Sequence, residues 1–207
     1  MLFSPYKAVS DFESCISFYT GAPYVVAVDS CTSALFLSLL YKKVKNQTIS
    51  IPKHTYPSVP NVIIHSGARV EFTESDEVLT GSYELGNTGV WDSALNFTAD
   101  MYTPNSLMCL SFSGPYKHLK LTKGGAILTD DIEAYKWLKR SRYNGRNECS
   151  YMEDNFDMLG WNFYMTPELG SRGLLLMAEF VGEGYKKHNP PLQRKYPDLS
   201  KFEIFKQ

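Results

Sequence analysis

Apolar residues recur along this chain in two alternating textures. Residues 24–29 form a continuous apolar run that closes on a polar cluster, Ser30-Cys31-Thr32-Ser33, and opens at once into an apolar stretch over 34–41. A short continuous run bounded by turn residues predicts a strand covered on both faces, and the following stretch predicts a helix. The same strand, turn and helix succession returns with a strand at 49–52, a helix at 59–65, Gly67 as its stop, and a strand at 68–72. Ahead of these, Ser10 with Glu13 three residues on predicts a helix N-terminus, and Gly21 its end. Alternation of this kind predicts an α/β fold with a mostly parallel sheet flanked by helices.

The pattern weakens between Thr73 and Gly89, where acidic residues and glycines predict a loop with a short strand at 82–85. It resumes with strands at 90–92, 106–112 and 126–129. A basic amphipathic helix at 130–143 follows, capped by Asp130 or Asp131. A last helix is predicted over 167–180, with Pro167 in its first turn. This organisation gives a core domain over 1–186 and an extended C-terminal arm over 187–207, marked by Pro190-Pro191 and several charges.

Composition narrows the function classes. The chain has 207 residues, 43% of them hydrophobic, with 21 basic against 22 acidic side chains. That balance gives no support to a nucleic-acid or anionic-membrane surface. No apolar run reaches the roughly 20 residues that span a bilayer, and the first residues lack the basic start and apolar stretch of a signal peptide. A cytoplasmic protein is expected. Cys15, Cys31, Cys109 and Cys149 are dispersed without CxxC or Cys/His spacing, so reduced thiols are expected and a metal site is not.

Three features carry candidate chemistry. Hydroxyls at Ser30, Thr32 and Ser33 stand at a strand-to-helix junction, where free N–H groups and the positive end of the helix dipole suit a phosphate, although Ser and Thr also serve there as plain caps. Lys117 lies in a loop between two predicted buried strands; desolvation there frees its amine to condense with an aldehyde as a Schiff base, whereas solvation would leave an ordinary basic loop beside Lys120 and Lys123. Asp92 ends an apolar strand, where a parallel sheet presents ligand-binding groups. A buried carboxylate there needs a cationic partner such as a protonated pyridine nitrogen, and helix capping is its simpler role.

Six segments in order resemble the DegT/DnrJ/EryC1/StrS family of pyridoxal-phosphate-dependent sugar aminotransferases. Residues 24–40 resemble the family's strand ending in Ser-Gly-Thr-x-Ala-Leu, residues 52–56 its Pro-x-x-Thr-aromatic, and residues 67–72 its Gly-Ala-x-Pro-Val-Phe. Asp92-Ser93-Ala94 resembles Glu-Asp-Ala-Ala. Residues 111–125 resemble the Ser-Phe-x-x-x-Lys loop, with Gly124 seven residues after Lys117, and residues 160–166 resemble Gly-x-Asn-x-Arg-Met-Thr.

The resemblance implies a shortened fold type I aminotransferase large domain, without the small C-terminal domain and with most of the crossover between Phe72 and Val90 missing. It implies pyridoxal phosphate as cofactor, carried by Lys117, which also shuttles the proton, with Asp92 on the pyridine nitrogen and Tyr56 stacked on the ring. Thr32 and Ser33 would hold the phosphate, helped by Ser111 or Ser113, and Asn162 would reach the site of a partner in a homodimer. The implied reaction moves an amino group from an amino acid to a nucleotide-linked keto-sugar. The alternative is a non-catalytic cofactor-binding or regulatory remnant of the same fold. Three positions depart from the family pattern: Cys31 stands for a glycine, Leu95 for a polar residue near the cofactor, and Tyr164 for an arginine suited to an acidic donor.

Overall fold

The computed structural model describes residues 6–182 and 191–206, so the start of the C-terminal arm, 187–190, lies outside the described residues. Elements follow in the order α1 (Lys7–Thr20), β1 (Tyr24–Val28), α2 (Cys31–Tyr41), β2 (Thr48–Pro52), α3 (Ser58–His65) and β3 (Arg69–Thr73). Then come β4 (Tyr83–Glu84), β5 (Val90–Asp92), β6 (Leu107–Ser111), β7 (Gly125–Thr129), α4 (Ile132–Ser141) and α5 (Pro167–Gly182).

The central sheet has the order β1-β7-β6-β5-β4, and β2 pairs with β3 separately. It is mixed, which corrects the expected mostly parallel sheet. Only β5–β6 and β2–β3 are parallel pairs, whereas β1–β7, β6–β7 and β4–β5 are antiparallel. The cause is the connection from β6 to β7: no helix intervenes between Ser111 and Gly125, so the chain turns back and inserts β7 between β6 and β1. A parallel neighbour would need a crossover of a dozen or more residues over the sheet face. Because β1 and β6 both oppose β7, strands β1, β5 and β6 still run the same way. Their carboxyl ends share one edge.

Alternation along the strands divides the core. Val26, Val28, Cys109 and Ile127 face one layer with the side chains of α2 and α3, while Val25, Ala27, Met108, Leu110 and Leu128 face the other with α1 and residues of α5. Covering both faces is what makes the strands read as unbroken apolar runs. Helix α1 begins at Lys7, three residues before the expected cap, since Val9 belongs to the same buried stripe as Phe12, Ile16 and Tyr19; Gly21, at φ 76°, ends it as expected.

The described part of the arm folds back on its own chain. The Leu192 N–H donates to the Leu95 carbonyl and the Leu199 N–H to the Lys53 carbonyl, both at 2.9 Å. Leu199 and Phe205 are buried, and the Phe205 ring meets Phe72 edge to face at 6.4 Å.

Candidate active site

The shared carboxyl edge of β1, β5 and β6 forms one wall of a cavity of about 280 Å³, close to the lower end of clefts that take small ligands. Gly125 makes the convergence possible. It pairs with Val28 on one side and Ser111 on the other, and a Cβ there would lie 2.5 Å from the Cys31 nitrogen and 2.8 Å from the Leu110 carbonyl oxygen.

At the start of α2, Ser30 is the N-cap and its hydroxyl accepts from the Ser33 N–H at 3.2 Å. The Thr32 N–H, at the second helical position, has no intrahelical partner. Thr32 lines the cavity, and its hydroxyl, like that of Ser111, is bonded to no other described residue. Ser33 does not line it: its hydroxyl donates to Asp29 Oδ1 at 2.6 Å. Two consecutive helical residues point about 100° apart, so the turn presents one hydroxyl to the cavity and uses the other to fix itself. Lys123 neutralises Asp29 from 3.0 Å.

Asp92, at the end of β5, is 6% exposed. Its Oδ1 accepts from the Ala94 N–H at 2.9 Å and its Oδ2 from the Tyr83 hydroxyl at 3.2 Å, and among the described residues no cation pairs with it. Burial pushes its carboxyl above the ordinary value of 3.8, against the downward pull of the Ala94 N–H, the Lys117 charge and the Tyr83 hydroxyl. Tyr83 is itself buried and shares a hydrogen bond with Thr55.

Lys117 reaches over the same turn, and its Nζ donates to the Ala94 carbonyl at 2.6 Å. Burial lowers its pKa, and the charge of Arg194 lowers it further, with Cys31 and Asp92 opposing. Ser113 lines the cavity while exchanging hydrogen bonds of 3.2 Å with the backbone of Gly124. Tyr56, 49% exposed, offers an aromatic face, and its ring meets Tyr196 at 6.1 Å.

Thr32, Tyr56, Asp92, Ser111, Ser113 and Lys117 are therefore brought together, whereas Ser33 and Asn162 are not. Asn162 is exposed and bridges to Tyr143. Tyr164 turns to the same side, its ring 5.3 Å from that of Tyr143. Sequence reasoning missed Tyr83, Arg194 and Tyr196. Tyr83 sits in a two-residue strand without a periodic signal, and the other two come from the arm.

The model of the DegT/DnrJ/EryC1/StrS aminotransferase family matches residues 1–81. Over those residues the chain is similar to that family. The spore coat polysaccharide biosynthesis protein SpsC of Bacillus subtilis is 42% identical over 71 residues, 33% of this chain and 18% of SpsC. A UDP-4-amino-4,6-dideoxy-N-acetyl-beta-L-altrosamine transaminase of Campylobacter jejuni is 22% identical over 205 residues, 77% of this chain and 54% of the transaminase. Among solved structures, the PLP form of Streptococcus pneumoniae Spr1654, a candidate sugar aminotransferase, superposes with a TM-score of 0.68 at 20% identity, over 85% or less of either chain: 84% of this one and 60% of that one. The family fold is thus present, and the chain spans about half or less of the curated relatives it matches. Among the described residues no helix is long and apolar enough to cross a membrane.

Proposed function

We propose that this protein binds pyridoxal phosphate and transfers an amino group from an amino acid to a keto-sugar, nucleotide-linked, as a cytoplasmic homodimer. The observation that carries this reading is the Ala94 turn, which brings a lysine amine of lowered pKa and a buried carboxylate without a paired cation to one cavity. The donor set suits the cofactor. Asp92 matches a protonated ring nitrogen, Thr32 and Ser111 offer free hydroxyls beside a helix N-terminus, and Tyr56 offers a face for the ring.

When bound, pyridoxal phosphate supplies an aldehyde and a ring that takes up electrons. The residues do the rest. Lys117 Nζ, its ammonium disfavoured by burial, serves as nucleophile and then as the base that takes and returns the proton at the substrate carbon bearing nitrogen. Asp92 holds positive charge at the ring nitrogen, and the Ala94 N–H and Tyr83 hydroxyl fix its orientation. Thr32, helped by Ser111 or Ser113, would anchor the phosphate where β1 and β6 end.

The dimer is supported by the exposed apolar side chains near Asn162 in the chain, Leu159 at 90% and Tyr164 at 37% exposure. Asn162 would act in the partner's cavity. Borohydride reduction of the protein loaded with pyridoxal phosphate should fix the cofactor's mass on the peptide containing Lys117, and Lys117→Ala should lose it. Label on Lys120 or Lys123 instead would overturn the assignment.

A further inference from the structure

We propose that Arg194, carried by the C-terminal segment that folds over its own cavity, receives the α-carboxylate of the amino donor. This rests on the transaminase reading above and names the residue that orients its first substrate.

Three cations line the cavity, and two of them are occupied. Lys117 donates to the Ala94 carbonyl and Lys123 pairs with Asp29. Arg194 makes a face contact with the Tyr196 ring, 5.5 Å from its centroid, and no hydrogen bond or ion pair with any described residue. A guanidinium offers donors in a planar fork that matches a carboxylate in bidentate fashion. Such a group, exposed to solvent while lining a cavity and without an acceptor in the described chain, is free to receive an anion from outside.

The position of Arg194 selects which anion. It lines both the main cavity and an adjoining hollow of about 240 Å³, whose other walls include Leu95, Tyr116 and Leu192, and Lys117 lines both as well. Its charge is close enough to act on the Lys117 amine. In an amino acid the carbon that bears nitrogen is one bond from the carboxylate, so an anion held beside Lys117 places that carbon next to Nζ. A diphosphate on a sugar is separated from a ring ketone by further ring atoms and would be held farther out. The hollow beside Leu95 and Leu192 then takes the donor's side chain.

The segment is fixed well enough to position a charge. Besides the backbone bonds at Leu192 and Leu199, His54 Nδ1 donates to the Tyr196 carbonyl at 3.1 Å, and Lys53 lies 3.7 Å from Asp198. Gly81, at φ +80°, permits the approach: a Cβ there would stand 2.8 Å from Pro191 Cβ and 2.9 Å from the Leu95 carbonyl oxygen. The position where the family pattern has an arginine holds Tyr164, which does not line the cavity. Arg194 supplies from the arm the charge that Tyr164 lacks.

The test uses the full chain loaded with pyridoxal phosphate and compares Arg194→Met and Arg194→Lys with the unaltered protein. Loading is first verified by borohydride trapping on Lys117, which Arg194→Met should leave unchanged. Binding is then measured by calorimetry for 2-methylglutamate, which has no transferable α-proton, and for 4-aminopentanoate, the matching amine without the α-carboxylate. Arg194→Met should weaken 2-methylglutamate about tenfold to a hundredfold, Arg194→Lys should restore part of that, and neither should change 4-aminopentanoate. Unchanged 2-methylglutamate binding overturns the proposal, as does an equal loss for both ligands, which would move the contact to the side-chain carboxylate. UDP is titrated in the same way, and a loss confined to UDP overturns the proposal in favour of the acceptor. Failure of the cofactor to attach at Lys117 removes the transaminase reading and this proposal with it, and is seen before any ligand is added.

Discussion

Glu13 and Asp92 are both buried carboxylates, 5% and 6% exposed, and they live in opposite surroundings. Glu13, on α1, accepts from the Ala27 N–H at 2.8 Å, pairs with the buried Arg142 and receives Lys139 at 3.3 Å; Arg142 and Lys139 in turn each hold Glu148 at 2.9 Å. Two carboxylates meet two cations, and the cluster ties α1 and β1 to α4 and the chain after it. Asp92 has two neutral donors and, among the described residues, no paired cation, and it lies near a lysine whose own charge is disfavoured by burial. One arrangement is complete within the chain. The other lacks an ion-pair partner among the described residues, which is the feature the proposed cofactor reading uses.

Substitution should separate the two. Arg142→Met leaves the buried Glu13 and the partly exposed Glu148 with Lys139 alone, and breaking a buried pair such as Glu13–Arg142 costs about 3–5 kcal/mol. Urea denaturation should therefore show a large loss of stability, and a change below about 1 kcal/mol would mean that the cluster contributes little. Asp92→Asn should do the reverse. The amide is nearly isosteric, and removing an unpaired buried charge leaves stability equal or higher. The half-reaction with an amino acid should slow by about 10²–10³, about 3–4 kcal/mol in the barrier, since the ring nitrogen is no longer held protonated. Normal rates in Asp92→Asn would reduce Asp92 to a cap of the Ala94 turn.

What the sequence made legible follows the same division. The convergence of Asp92, Thr32 and Lys117 was readable because Asp92 ends an apolar strand, Thr32 follows one closely and Lys117 lies in the loop between two, and sheet geometry brings such positions to one edge. Ser33 was not separable from Thr32, because a string of hydroxyls carries no information about which one turns toward Asp29. The direction of β7 was hidden, since an apolar run reads the same either way; its signal was the missing helix between Ser111 and Gly125. Tyr83 and Arg194 were invisible for a different reason. Both lie in segments without periodicity whose positions are set by distant contacts, side-chain hydrogen bonds to Thr55 and Asp92 for one and backbone bonds to Leu95 and Lys53 for the other.

The smallest effect tests the comparison through pH, in the cofactor-free protein. The folded pKa of Asp92 lies above its ordinary value of 3.8. Between those two pH values the native state holds a proton that the unfolded chain has lost, so the contribution of Asp92 to stability falls as pH rises through the raised pKa and recovers on acidification. Asparagine does not titrate. The stability of Asp92→Asn relative to the unaltered protein should therefore be greatest at neutral pH and shrink toward zero as pH approaches 3.8. Glu148 has the opposite sign: burial pushes its pKa up, but the charges of Lys139 and Arg142 outweigh this and hold it below 4.5. Its contribution is present above 4.5 and is lost as pH falls through the lowered folded value. Urea midpoints measured in steps from pH 7 toward pH 3.8 should show the advantage of Asp92→Asn narrowing, with any loss from Glu148 confined to pH below 4.5. An advantage that widened toward acid would mean that Asp92 is stabilised as a carboxylate, which would place it with Glu13 among the charges that are complete within the chain.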